Sequence, residues 1–330
     1  PLFSDSVYID RLSRIPAIME MPYNDIIRKF IDMYAGRLRN QVSFMLSACN
    51  FYMPIFEEAL DAYGLPLELR YLPIIESALN PSAVSRAGAS GLWQFMIGTG
   101  KIYGLESNSL VDERRDPIKA TWAAARYLKE MYDIYGDWNL VIAAYNCGPG
   151  TINKAIRRAN GETDYWKIYN YLPKETRGYV PAFIAANYVM TYYCDHNICP
   201  METNIPASTD TVQVNKNLHF EQIADLCNVP LDQIKSLNPQ YKKQMIPGDS
   251  KPYTLRLPID AISTFIDKQD TIYTHRADEL FRNRKTVAVK DITPATRKTT
   301  SAVAGKGNLT YYTIKSGDTL STIAGKYGVT

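Results

Sequence analysis

Up to about residue 200 the apolar positions recur at helical spacing. Ile118, Trp122, Ala125, Leu128 and Tyr132 share one helical face, with Asp116-Pro117 as a start signal and Gly136 as a stop. The same reasoning predicts a helix from Trp138 to about Cys147, ended by Gly148-Pro149-Gly150. Another follows Thr151, and a longer one covers about Tyr179 to Tyr193. Upstream, Pro54 to Tyr63 and Pro66 to Ile75 are expected to be short helices opened by proline. Between Asn80 and Gly91 the period is lost and turn residues accumulate, which suits a small strand pair or a binding loop between helices.

Beyond about Thr209 the pattern shortens. Val212-Gln213-Val214 and Tyr253 to Leu257 are expected to be extended, enclosing helices at Phe220 to Cys227 and Leu231 to Leu237. From about Arg282 to Asn308 seven basic residues stand against one acidic, the composition of a solvated linker. The fold class expected is mainly α. A helical domain (1–205) with a small β/turn segment precedes a small α+β module (209–262). An extension and basic linker (263–308) lead to the start of a further module (309–330).

Composition narrows the function. With 46% hydrophobic and 22% charged residues the chain can build a core. Its net charge of +3, from 37 basic and 34 acidic residues, is too balanced for a nucleic-acid binder. No apolar run reaches bilayer-spanning length, and a chain opening on Pro1 reads as trimmed, so a membrane anchor could lie outside it. Three scattered histidines argue against zinc. Of the five cysteines, Cys194 and Cys199 form either a small disulfide loop or two buried thiols.

Three segments carry candidate chemistry: Leu72-Pro73-Ile74-Ile75-Glu76-Ser77, Ser85 to Met96, and Ala143-Ala144-Tyr145-Asn146-Cys147-Gly148. Glu76 follows Tyr71, Leu72, Ile74 and Ile75, and low-dielectric surroundings make a carboxyl hard to ionise. A carboxylic acid kept protonated near neutral pH can protonate a glycosidic oxygen. Glycosidases generally use two carboxylates, yet no second acid falls in these motifs. Glu68 lies eight residues back, and Asp112, Glu113 and Asp116 precede a later helix.

These motifs, with Gly64-Leu65-Pro66-Leu67-Glu68-Leu69 ahead of them, resemble over about residues 20–190 the lytic transglycosylases, whose fold is related to goose-type lysozyme. The resemblance extends to the membrane-bound type D enzymes, which carry C-terminal LysM modules. It implies that Glu76 is the catalytic acid and then base, and that the 6-hydroxyl of the sugar is the nucleophile. The product would be 1,6-anhydro-N-acetylmuramic acid, made without a cofactor. A lysozyme-type hydrolase using water and a non-catalytic wall-binding protein are the alternatives.

By the same resemblance Ser85 would hydrogen-bond near the acid or the substrate acetamido group, unless it only caps its turn. Gln94 and Met96 would line the sugar groove, Met96 being the wall in preference to Phe95. Tyr145 would steady the acetamido group or Glu76, and Asn146 would bind a neighbouring sugar or the acid's backbone surroundings. Tyr179, in Glu175-Thr176-Arg177-Gly178-Tyr179-Val180, would reach back into the cleft, and Cys147 would pack. Tyr312 to Thr330 resembles the start of a LysM module, and 211–258 a diverged copy with Asn215-Lys216-Asn217-Leu218 in place of Gly-Asp-Thr, for which a purely structural role is expected. The partner implied is the peptidoglycan glycan strand, at the periplasmic cell envelope.

Overall fold

The computed structural model describes residues 3–203, 205, 206 and 208–281, all within one compact unit. The basic linker and the terminal module lie outside the described residues. The described chain is mainly helical, with two small two-stranded sheets after residue 208.

The first core gathers around the helix Lys174–Thr191, whose Tyr179, Val180, Phe183, Ile184 and Tyr188 are buried. Against it pack the helices Asp25–Ala35, Trp138–Cys147 and the short Leu72–Ser77. The helix Pro117–Tyr135 packs on Arg39–Ala62. Local chemistry explains the boundaries. The Asp116 carboxylate accepts from Ile118 N and Lys119 N, and Gly136 closes that helix at φ 63°. Asp137 likewise caps Trp138–Cys147 through Leu140 N.

Two expectations are corrected. Pro54 does not open a helix but lies inside Arg39–Ala62, where packing on both sides carries the helix through the lost hydrogen bond. The long helix begins at Lys174, five residues before Tyr179, because Pro173 supplies its start. The segment from Pro66 is a 3-10 turn over Leu67–Tyr71 running into Leu72–Ser77.

In the second core, β1 (Thr209–Val214) pairs antiparallel with β4 (Tyr253–Pro258), Thr209 opposite Pro258 and Val214 opposite Tyr253. Between them β2 (Asn217–His219) pairs with β3 (Met245–Pro247). The helices Phe220–Cys227 and Leu231–Leu237 stand where expected. Phe265 and Ile272, from the following helices Ile259–Asp267 and Gln269–Thr274, are buried in this core. So are Leu110 and Val111, which arrive from the first region.

Candidate active site

The carboxyl of Glu76 stands in the last turn of Leu72–Ser77, a helix too short to hold itself together. Its apolar residues Leu72, Pro73 and Ile74 are buried. The chain then leaves abruptly, with Ala78 and Leu79 both left-handed at φ 51° and 58°. Non-glycine residues reach that region at a cost of about 1 kcal/mol each, and here the buried Leu79 side chain holds the turn. The Ser77 hydroxyl, bonded to Pro73 O at 3.0 Å and Leu92 O at 2.9 Å, ties the acid helix to the Gly91-Leu92-Trp93-Gln94 turn.

That turn belongs to a compact loop. Val84 bridges to Ser90 and Ser90 to Phe95 as isolated bridges, in a segment expected to be a small strand pair or a binding loop. Trp93 is fully buried and donates through Nε1 to Thr121 Oγ1 at 2.9 Å. Gly91 is required: at φ 88°, a Cβ would come within 1.8 Å of Arg114 O.

Glu76, Ser85 and Gln94 open onto one cleft of about 410 Å³, with Tyr34 and Gln41. A larger cavity of about 1100 Å³ is lined in part by Leu79, Asn80, Pro81 and Ser82 and does not include Glu76. Chemistry favours the smaller one, because it holds the perturbed acid. Glu76 is half-buried, and its pKa is raised from 4.5 to about 7. Burial is the main cause. The Tyr179 hydroxyl, which donates to Glu76 Oε1, opposes it, and the charge of Glu175 adds to it. Tyr179 and Tyr145 are themselves held well above the usual phenol range, first by burial and then by the charge of Glu76.

The other expected residues divide. Tyr179, expected to reach back into the cleft, donates from its helix to Glu76 Oε1. Tyr145 lies close enough to feel the Glu76 charge, but its hydroxyl donates to Trp93 O at 2.7 Å rather than to the carboxylate. Asn146 Oδ1 accepts from Thr176 Oγ1 at 2.9 Å, clasping two helices together. The Ser85 hydroxyl accepts from Ala89 N at 3.0 Å, the turn-capping arrangement, while the residue still faces the cleft. Gln94, left-handed at φ 49°, directs its amide donors to Gly91 O and Ala83 O, which leaves the amide oxygen as its polar face for a ligand. Met96 is 46% exposed, while Phe95 is in the core.

The acids considered as second carboxylates are engaged elsewhere. Buried Glu68 accepts from Ile18 N and Met19 N, and Asp112 is paired with Arg114. Glu113 pairs with Lys119, and Asp116 caps a helix. Sequence reasoning missed Glu175, exposed one helical turn before Tyr179; the i, i+4 spacing was the available signal. It also missed the left-handed pair Ala78-Leu79, which no glycine marks. Cys194 and Cys199 are neither bridged nor buried; both are exposed free thiols. Among the described residues no group of three or more histidine, cysteine, aspartate or glutamate side chains could hold a metal.

Residues 53–168 match the transglycosylase SLT domain, 208–274 the LysM-like domain of lytic transglycosylase MltD, and 312–330 the LysM domain. The chain is 31% identical over 315 residues to the membrane-bound lytic murein transglycosylase D of Escherichia coli K12, covering 94% of this chain and 65% of that one. Over 124 residues it is 33% identical to the soluble lytic murein transglycosylase of the same organism, covering 36% of this chain and 19% of that one. A crystal structure of the 70 kDa soluble lytic transglycosylase of Escherichia coli aligns with a TM-score of 0.38 at 29% identity, covering 43% of this chain and 24% of that one. Its matched regions are thus an SLT domain followed by LysM-type domains, and over 94% of its length the chain is similar to a membrane-bound lytic murein transglycosylase of which it spans about two thirds.

Proposed function

We propose that this chain cleaves the glycosidic bond between N-acetylmuramic acid and N-acetylglucosamine in peptidoglycan and leaves a 1,6-anhydro end. The observation that carries this reading is Glu76, a carboxyl with its pKa raised to about 7 on the wall of a cleft. At neutral pH a sizeable fraction is protonated, so it can protonate the leaving oxygen. As carboxylate it then takes the proton of the sugar's 6-hydroxyl while that oxygen closes on the anomeric carbon. Tyr179 holds the carboxyl in place through Oε1. Ser85, Gln94 and Met96 are assigned to the sugar groove, Asn146 to the support of the helix behind it. Tyr145 is assigned to the Trp93 turn and, through its lone pairs, to substrate. The domains are assigned as a catalytic region followed by LysM-type modules that dock on the glycan, and the place of action is the cell envelope, where the substrate lies. No helix among the described residues is long and apolar enough to cross a membrane.

A hydrolase reading has one observation in its favour. Glu175 is a second carboxylate whose charge reaches Glu76, and a second acid could activate water. Digestion of purified peptidoglycan followed by mass spectrometry separates the two. Products lighter than hydrolytic ones by one water, absent with Glu76→Gln, support the transglycosylase. Products of full hydrolytic mass overturn it in favour of the hydrolase.

A further inference from the structure

The loop between Leu105 and Pro117 leaves the first core, enters the second and returns. Leu110 and Val111 are 1% and 0% exposed within the core formed by β1–β4 and their helices. Backbone bonds fasten the excursion: Asp112 N donates to Gln240 O at 2.8 Å, and Lys242 N to Leu110 O at 2.8 Å. At its edge Glu106 accepts from the Tyr253 hydroxyl at 3.0 Å and pairs with Lys251 at 2.7 Å. Asp112, so fixed, grips Arg114 in a two-point ion pair, Nε to Oδ1 at 2.9 Å and Nη2 to Oδ2 at 2.8 Å. Both side chains are buried, at 6% and 2% exposure. Arg114 Nη1 in turn donates to Gly88 O at 2.8 Å and to Phe95 O at 2.9 Å. Those two carbonyls lie on either side of the turn that carries Gln94. Arg115 adds a bond from Nε to Ser90 Oγ at 3.1 Å.

A carboxylate–guanidinium pair is planar and bidentate, so it transmits position as well as charge. Gly91 lies against Arg114 O so closely that no side chain fits between them. The line from the module core through Val111, Asp112 and Arg114 to the cleft loop is therefore a continuous run of buried contacts.

We infer that the LysM-like module over 208–274 serves catalysis as the seat of the Asp112–Arg114 pair, and that Arg114 is a positioning residue holding the cleft loop opposite Glu76. The inference rests on the reading of Glu76 as the acid only for its effect on turnover. Displacing a substrate-lining loop by about an ångström is enough to slow an enzyme on the order of a hundredfold.

The test uses the whole chain with three substitutions, Val111→Ala in the module core, Glu106→Gln at its edge and Arg114→Lys in the clamp. The first readout is amide hydrogen exchange at Ser90, Gly91 and Gln94, whose N–H groups bond to Phe95 O, Ala83 O and Gly91 O. The expected result is exchange about tenfold faster at these amides in Val111→Ala and Arg114→Lys, with the amides of Lys174–Thr191 unchanged. The second readout is turnover of soluble peptidoglycan oligomers well below the melting temperature. A kcat about tenfold lower is expected, with the pH midpoint set by Glu76 in place. Glu106→Gln, the mildest change, keeps the test valid if Val111→Ala fails to fold. Unchanged loop exchange in folded variants overturns the inference, as does faster exchange with wild-type kcat. A wild-type chain without turnover refutes the proposed function instead, and the exchange data still decide whether the module seats the loop.

Discussion

Glu76→Gln should make the protein more stable, and by an amount that depends on pH in one direction only. The pKa of Glu76 is raised from 4.5 to about 7 in the folded chain. Between those values the folded state keeps a proton that the unfolded chain releases, so rising pH favours unfolding. The stabilising contribution of the protonated acid is full below pH 4.5 and is lost as pH climbs through 7. Each unit of that interval corresponds to about 1.4 kcal/mol, which gives an upper figure of roughly 3 kcal/mol, reduced to about 2 where the cleft admits water. Glutamine has the same shape, accepts the Tyr179 bond through the same oxygen, and does not titrate. The variant should therefore match wild type near pH 4, gain across the interval, and level off about 2–3 kcal/mol more stable above pH 7.5. Urea unfolding followed by the fluorescence of the four tryptophans, repeated across pH, measures the difference, and titrations common to both chains cancel. A gain that is flat with pH, or a variant less stable at pH 8, would refute the placement of Glu76 in an ionisation-hostile site.

Other substitutions probe the same geometry. Tyr179→Phe removes the bond that favours the Glu76 carboxylate, so the alkaline limb of the pH–rate profile should move to higher pH. Glu175→Gln removes a repelling charge and should move it lower; shifts of one sign for both would contradict the arrangement. Gly91→Ala drives a methyl into Arg114 O and should destabilise by about 2–4 kcal/mol in urea unfolding. Thr121→Val leaves the buried Trp93 N–H without its acceptor and should cost about 1–3 kcal/mol, read the same way. Cys194 and Cys199 should be alkylated in the native protein, as mass mapping can show. Cys49, its thiol pushed up to about 12 by burial, should be spared.

Much of the architecture was legible because it is written in local chemistry. The helix Trp138–Cys147 lies between an aspartate cap and Gly148, and the module helices Phe220–Cys227 and Leu231–Leu237 follow their apolar spacing. The hard ionisation of Glu76 was suggested by its apolar neighbours, whereas its role as the acid came only from the resemblance of its motif. What sequence could not show depends on contacts distant along the chain. Pro54 is carried inside a helix by tertiary packing, against its local preference. Tyr145 was expected to steady the acetamido group or Glu76, yet its hydroxyl donates to Trp93 O, 52 residues away along the chain. Ala78 and Leu79 adopt left-handed backbone without a glycine to announce it. Glu175 is remote in sequence from Glu76 and joins it only because Lys174–Thr191 packs on the acid helix.

The long reach of the Leu105–Pro117 excursion has a consequence for synthesis. Asn108 and its partner Lys242 are 134 residues apart. At ordinary ribosomal rates their synthesis is separated by on the order of ten seconds. When that interval begins the nascent chain already contains Glu76, Ser85 and Gln94, but the second core that receives Leu110 and Val111 has not yet been made. If the second core seats the cleft loop as inferred above, that loop settles only after the core closes, fixed by a segment that carries none of the cleft's own side chains.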